Sequence, residues 1–535
     1  MAIRSLGAMC LALLSVVALV VAWTTTMAVQ LAATALIMGG TQNSLGSPET
    51  PIEYINPYLS NAVNRFINPA SEAPTGTGGT PIPRVNEDDD RYAVITPEQF
   101  FPATGSMTFD TSVMTGLANL SRCVRGSADC KYNNNPEVNP GPPAGPPVAG
   151  DEFDIFGYSQ SAVIASLLKK DMIKNPSKYP DVGPGDVSFF LLANPMRPNG
   201  GILARGPLGL TIPIIGITFY GATPTNSCQT GECYQTVDVA AQYDGLGGDA
   251  AVSLLNPLAF LNATLGIYYL HGNMQNGNFS DAQYQGSYGD TDYYIVPTRR
   301  LPLLMPFESF VPSPILTFFD APLRVLVEGG YARDINPGVV VPVGLLPFRD
   351  PIKTLINFVI AIPTGLDDAI AEATGDPGFR PFGTKPVTSP FGVGGPELPA
   401  PPTADEADLL SESDARENDV DDQIADGSDE EITDGEPPVG VDADEGQSED
   451  KVTEKLDLSV PGIVKHLESR FGKPLLRGPI KFDSQDDNKT PPPAKPGDGD
   501  DEGVGGTDTQ TDTTTGTDTT KPDSAPGDAG GEAAA

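Results

Sequence analysis

The order of apolar and polar positions divides the chain into four stretches. Leu6 to Trp23 is a run of 18 mostly apolar residues behind Arg4, and no further charge follows until Glu49. A run of this length at the N-terminus reads as a signal-peptide core or a short membrane anchor over residues 1–27. Either reading makes the remainder an exported chain. Residues 28–41 are apolar and close on Gly39-Gly40-Thr41, the pattern of a buried strand stopped by a glycine pair. Residues 45–91 are rich in Pro, Gly and Asn and read as loop, as do 131–150. A helix starts over Ser112 to Leu120. Glu152 to Phe156 is a short apolar strand, Ser159 to Met172 an amphipathic helix, and Val187 to Ala193 a second apolar strand. Strand, helix and strand within about 40 residues make a βαβ unit and point to a parallel sheet. Thr236 to Gln242 adds a strand that runs into Tyr243-Asp244-Gly245, and Pro257 to His271 reads as a helix.

Residues 291–385 stay apolar and proline-rich. A helix is predicted over Pro351 to Ala361, stopped before Pro363, with a second short one over Leu366 to Ala373. This gives an α/β core at 28–300 with an apolar cap or extension at 301–390. From Pro396 onward the composition collapses into Pro, Gly, Asp, Glu, Thr and Ala. That is the signature of disorder, because too little apolar surface is left to offset chain entropy. The tail is taken as 391–535. One island interrupts it, Lys451 to Lys481, which reads either as a short docking helix near 455–480 or as a less acidic spacer.

Charge sharpens this division. The 535 residues carry 70 acids against 32 Lys and Arg, a formal net charge of -38, and residues 401–535 alone hold 36 acids against 11 bases. Nucleic-acid binding is disfavoured, since phosphate contacts need clustered Lys and Arg. The acidic tail is most simply a solvated spacer; docking to a cation or a basic partner is the sharper alternative. Only two histidines occur, His271 and His466, so a His-rich metal site is excluded. No P-loop, HExxH or Cys-x-x-Cys is present, and neither metal nor cofactor is expected. Besides Cys10 there are four cysteines: Cys123, Cys130, Cys228 and Cys233. An even number in an exported chain reads as two disulfides. Three pairings are possible, and the close spacings favour Cys123–Cys130 and Cys228–Cys233.

Chemistry concentrates at Gly157-Tyr158-Ser159-Gln160-Ser161, on the strand-to-helix junction. A nucleophilic serine needs a tight turn that lifts its hydroxyl above the sheet, with small residues two before and two after. The N–H of Gln160, at the helix N-terminus, then points at a forming oxyanion. As a bare string the pattern is weak; its position gives it weight. A serine nucleophile needs a base, and His271 is the only histidine before the acidic tail. The acid should lie between them after a late strand, which leaves Asp244 and Asp249, with Asp244 favoured. A second oxyanion donor belongs in an early strand-to-loop turn, and the Thr41 N–H after Gly39-Gly40 is the natural choice.

Taken together, Gly39-Gly40-Thr41, Thr96-Pro97-Glu98-Gln99-Phe100-Phe101-Pro102, Gly157-Tyr158-Ser159-Gln160-Ser161, Asn194-Pro195-Met196-Arg197-Pro198-Asn199-Gly200-Gly201, Tyr243-Asp244-Gly245 and Leu261-Asn262-Ala263 resemble the PE-PPE domain of mycobacteria and their relatives. The resemblance covers about residues 30–380. It implies a cutinase-like α/β-hydrolase fold, a Ser-Asp-His triad and esterase activity on acyl chains. Some members of that family are membrane-anchored acyltransferases of acylated trehalose lipids. Ser161 matches the family's own Gly-x-Ser-x-Ser rather than the usual glycine. The helical PE or PPE module that precedes the domain in the family is replaced here by the apolar segment.

The expectation is an exported serine esterase or lipase acting on an acyl ester or glycolipid at the membrane or cell envelope. An acyltransferase would use the same triad and pass the acyl group to a sugar hydroxyl. A non-catalytic envelope binding protein is the rival of a different class.

Overall fold

The computed structural model describes residues 33–403, apart from 78, 80, 87–90, 139–144 and 230. The expected leader or anchor at 1–27, with Cys10, lies outside the described residues. So do the acidic tail beyond 403, its island at 455–480 and His466.

Nine strands are described: β1 (Thr34–Ile37), β2 (Arg91–Ala93), β3 (Phe153–Tyr158), β4 (Val187–Leu192), β5 (Thr211–Ile212), β6 (Ile217–Thr218), β7 (Thr236–Ala241), β8 (Gln283–Tyr288) and β9 (Thr291–Val296). Seven of them form one sheet in the order β2-β1-β3-β4-β7-β9-β8. Every neighbouring pair is parallel except β8, which runs antiparallel to β9 at the edge. β5 and β6 make a separate small hairpin. The central strands read Phe-Asp-Ile-Phe-Gly-Tyr, Val-Ser-Phe-Phe-Leu-Leu and Thr-Val-Asp-Val-Ala-Ala and are buried throughout. Continuous apolar runs of this kind belong to parallel strands covered on both faces. The protein therefore has an α/β fold, a mixed sheet flanked by helices.

Alternate side chains feed two cores. Leu36, Ile155, Phe189 and Leu191 face helices α2 (Phe109–Val124) and α3 (Gln160–Lys174). Ile37, Phe156, Phe190 and Val239 face the opposite layer. That layer begins with α1 (Ile52–Asn61), which runs through a π-helical turn at Ala62–Ile67 into Asn68–Ser71. This corrects the loop expected over 45–91. Ile55, Tyr58, Leu59, Val63, Phe66 and Ile67 are buried at helical spacing. Pro51, Pro57 and Pro69 obscure that period, yet Pro51 stands at the N-cap, where no helical N–H is lost. Burial of one apolar stripe against Phe156 and Phe190 outweighs the weak intrinsic propensity.

Three further long helices are α4 (Pro257–Tyr269), α5 (Ser313–Glu328) and α6 (Pro351–Thr374). α6 is one helix that carries Pro363 inside it, not two helices broken before that proline. Packing on α5 holds it together: a Cβ on Gly365 would fall 2.5 Å from the Phe318 carbonyl oxygen, so the two helices touch backbone to backbone there. Thr364 Oγ1 also donates to the Ile360 carbonyl, 2.9 Å away. α5, with Pro322 inside, was not foreshadowed by the apolar pattern. β9 belongs to the central sheet, within the core expected at 28–300. Phe391 is buried, with the Arg333 guanidinium over its ring at 4.5 Å, so the folded body continues past residue 390.

Two disulfides are present, Cys123–Cys130 and Cys228–Cys233, with Cα atoms 4.6 and 4.1 Å apart. The first ties the end of α2 to the loop that follows it. Buried ion pairs bind the layers together. Lys169 of α3 reaches Asp290 in the β8–β9 turn at 2.6 Å and Thr236 Oγ1 at 2.8 Å.

Candidate active site

β3 ends at Tyr158 and α3 begins at Gln160, leaving Ser159 on the turn between them at φ 57° and ψ -112°. A serine at positive φ is strained and persists only where its surroundings enforce it. Three contacts do so. A Cβ on Gly157 would lie 2.6 Å from the Ser161 carbonyl oxygen and 2.8 Å from Ala162 Cα, so only glycine lets strand and helix approach this closely. The Ser161 hydroxyl accepts from the Tyr158 N–H at 2.8 Å and donates to the Tyr158 carbonyl at 3.1 Å, closing the turn. The Ser159 N–H donates to the Leu192 carbonyl of β4 at 3.0 Å.

His271 opens a short 3-10 turn directly after α4. Its Nε2 lies 2.8 Å from Ser159 Oγ, and its Nδ1 lies 2.7 Å from Asp244 Oδ2. An imidazole that donates from Nδ1 to a carboxylate presents Nε2 as an acceptor for the serine hydroxyl. Asp244 is fully buried on the turn after β7. Its other oxygen, Oδ1, accepts from the N–H groups of Leu246 (3.1 Å) and Gly247 (2.9 Å), which fixes the carboxylate plane. Gly247 is there for space: a Cβ would sit 2.2 Å from Asp244 Oδ2 and 2.7 Å from His271 Nδ1. Asp249 is engaged elsewhere. It accepts from the Tyr243 N–H at 2.6 Å and takes both terminal nitrogens of Arg333, at 2.6 and 2.9 Å. Of the two acids named from sequence, Asp244 reaches the histidine and Asp249 does not.

Gln160 directly follows the serine, and the loop after β1 packs close by. Among the described residues neither the Gln160 N–H nor the Thr41 N–H is used in a hydrogen bond. A Cβ on Gly40 would lie 2.7 Å from the Tyr158 ring, so this loop rests on the residue before the serine. The Gln160 side chain is held from two directions. Ser112 Oγ donates to its Oε1 at 2.8 Å, and its Nε2 donates to the Gln99 carbonyl at 3.0 Å.

Sequence reasoning passed over several residues here. Tyr158 stacks its ring on His271 with centroids 5.9 Å apart, and its hydroxyl donates to the His271 backbone carbonyl. Gly247 and Ser112 carried no sequence signal beyond their small size. Thr96-Pro97-Glu98-Gln99 stood out as a motif but without a role. No cluster of three or more His, Cys, Asp or Glu suited to a metal ion occurs among the described residues.

Residues 87–332 match the family model of the PE-PPE domain. The chain carries a PE-PPE domain. Ser159, Asp244 and His271 lie inside the matched span, whereas β1 and the Gly39–Thr41 loop precede it while sharing its sheet. Similar curated proteins come from Mycobacterium tuberculosis. The uncharacterized PPE family protein PPE42 is 33% identical over 358 residues, 65% of this chain and 53% of that protein. Esterase PE16 is 33% identical over 329 residues, 60% of this chain and 52% of its own length. PE family protein PE3 is 31% identical over 370 residues, 67% of this chain and 66% of its own. The chain thus spans about half the length of the first two relatives. No solved structure matches the chain.

Proposed function

We propose that this PE-PPE domain protein is an exported serine esterase that cleaves acyl esters through an acyl-enzyme. The observation that carries the reading is the hydrogen-bond chain from Ser159 Oγ through His271 to Asp244. A relative named as an esterase supports the reaction class. His271 Nε2 takes the Ser159 proton as Oγ attacks the ester carbonyl, and Asp244 steadies the imidazolium that forms. The Gln160 and Thr41 N–H groups receive the oxyanion. Collapse expels the alcohol, which leaves with the proton from His271. Water then enters and attacks the acyl carbonyl as His271 takes its proton; the acyl–Oγ bond breaks, His271 returns that proton to Ser159 Oγ, and the acid is released. Two disulfides support an oxidising compartment and hence export to the envelope.

The same acyl-enzyme passes its acyl group to a sugar hydroxyl if water is kept out. One feature favours a lipid substrate in either case. α6 exposes Ile352, Leu355, Ile356 and Val359, and α5 exposes Ile315 and Phe319. An apolar surface of this extent suits a lipid-facing protein.

The test is hydrolysis of p-nitrophenyl esters of graded chain length by the full chain and by Ser159→Ala. Turnover that rises with acyl length and vanishes in the variant is the expected result. Turnover that survives in Ser159→Ala removes the nucleophile assignment. A well-folded protein without turnover, but able to move an acyl group onto trehalose or another sugar, moves the reading to acyltransferase. Inactivity in both assays leaves the binding protein.

A further inference from the structure

Thr96-Pro97-Glu98-Gln99 takes no part in the Ser159–His271–Asp244 chain, yet it is bonded to both segments that flank the nucleophile. Glu98 is completely buried at φ 50°, the left-handed region that side chains such as glutamate seldom adopt. Its backbone carbonyl accepts from the Gln42 N–H at 2.8 Å, and Gln42 directly follows Thr41. One residue on, the Gln99 carbonyl accepts from Gln160 Nε2 at 3.0 Å. The Gln99 N–H donates at 3.0 Å to Ser112 Oγ, whose own proton goes to Gln160 Oε1. Two adjacent residues therefore hold the Thr41 loop and Gln160.

Nothing in this turn's backbone asks for a carboxyl group. Glycine or asparagine adopts φ 50° with less strain. The Glu98 carboxyl is kept indoors all the same. Its Oε1 accepts from Thr96 Oγ1 at 2.6 Å, and its Oε2 has no hydrogen-bond partner. A buried, half-satisfied acid is destabilising, so its presence calls for a functional account. We propose that Glu98 is a positioning residue of the oxyanion pocket, its buried side chain locking the strained 96–99 turn that holds the Thr41 loop and Gln160 beside Ser159. The inference rests on the acyl-transfer reading of Ser159 given above.

Burial pushes the Glu98 carboxyl up to about 8, against the opposing pull of the Thr96 hydroxyl. At neutral pH it is an uncharged acid. The titratable group near it is Tyr58 of α1, which also has Tyr54 and Tyr158 as neighbours. Burial holds the Tyr58 phenol well above its ordinary value, so Glu98 titrates first as pH rises. Ionisation would leave a bare carboxylate in an apolar pocket, and the turn must then open toward water. The positioning is present below about pH 8 and lost above it.

The experiment is steady-state hydrolysis of a soluble p-nitrophenyl ester by the full chain, wild type and Glu98→Gln, with spontaneous hydrolysis subtracted and near-UV circular dichroism recorded at each pH. Between about pH 7 and about pH 9 the wild-type kcat falls about tenfold, following the neutral fraction of Glu98. In Glu98→Gln the fall is absent, because the amide fills the same space and does not ionise. An equal fall in both proteins, or none in the wild type, overturns the inference. Glu98→Ala supplies a second readout, a loss of about 10- to 100-fold in kcat with little change in KM. A folded alanine variant with wild-type kcat also overturns it; if that variant does not fold, the glutamine profile decides alone. Labelling of Ser159 by a fluorophosphonate at neutral pH keeps the two readings apart. Labelled Ser159 with no effect of Glu98→Gln sinks only this inference, whereas an unreactive Ser159 sinks the hydrolase reading and this one with it.

Discussion

Tyr158 grips His271 twice, through a phenol hydrogen bond to its backbone carbonyl and through a ring that lies 26° from the plane of the imidazole. The residue before Ser159 thereby sets the position of His271, 113 residues further along the chain. Tyr158→Phe keeps the ring and removes the hydrogen bond, a loss of about 1 kcal/mol. The expected result is a kcat lowered by roughly fivefold, with KM nearly constant. Steady-state kinetics checks this. A lowered KM affinity with kcat unchanged would instead place the phenol in substrate binding.

Asp244 and Asp249 are five residues apart and buried to similar degrees, yet their neighbours assign them different work. Asp244→Asn weakens the support for the His271 imidazolium and is expected to lower kcat by about 10³- to 10⁴-fold while the fold is kept. Asp249→Asn strips Arg333 of a buried partner and is expected to lower stability by about 3 kcal/mol. Paired measurement of kcat and the urea unfolding midpoint separates the two. The opposite pattern would exchange their roles.

Gly247 leaves no room for a side chain between Asp244 and His271. Gly247→Ala is expected to push the carboxylate from the imidazole and lower kcat by about 100-fold. Its far-UV circular dichroism should match the wild type, because the strain is confined to one turn. A crystal structure of the variant would show the Asp244–His271 contact lengthened beyond its present 2.7 Å.

Asp154 in β3 is fully buried, and burial pushes its carboxyl up to about 7 despite the hydrogen bond from Ser188. The folded protein therefore binds this proton more tightly than the unfolded chain does. Its contribution to stability is complete below about pH 4, the unfolded value, and is lost as pH rises through about 7. Asp154→Asn removes that loss. The urea midpoint of the variant, relative to wild type, should improve from about pH 5 to about pH 8. A constant difference across that range would show that the carboxyl is not held protonated.

Some of this architecture is legible in the sequence because the signal is local. The β3–turn–α3 unit follows from an apolar strand, small residues around Ser159 and a helical stripe, all within about twenty residues. The pairing of Cys123 with Cys130 and of Cys228 with Cys233 follows from short separations, since each loop closes with little entropy. Other features depended on where distant segments land. Whether Asp244 or Asp249 meets His271 is decided by Arg333, which arrives 84 residues later and takes Asp249 for itself. The helix starting at Ile52 and the unbroken α6 both contain proline, and local propensity argues against each. They form because tertiary burial, against Phe156 and Phe190 in one case and against α5 at Gly365 in the other, exceeds what the prolines cost. The work assigned to Tyr158 and Glu98 was invisible for the same reason. A side chain's chemistry is written in the sequence, but its partner is chosen only when the chain has packed.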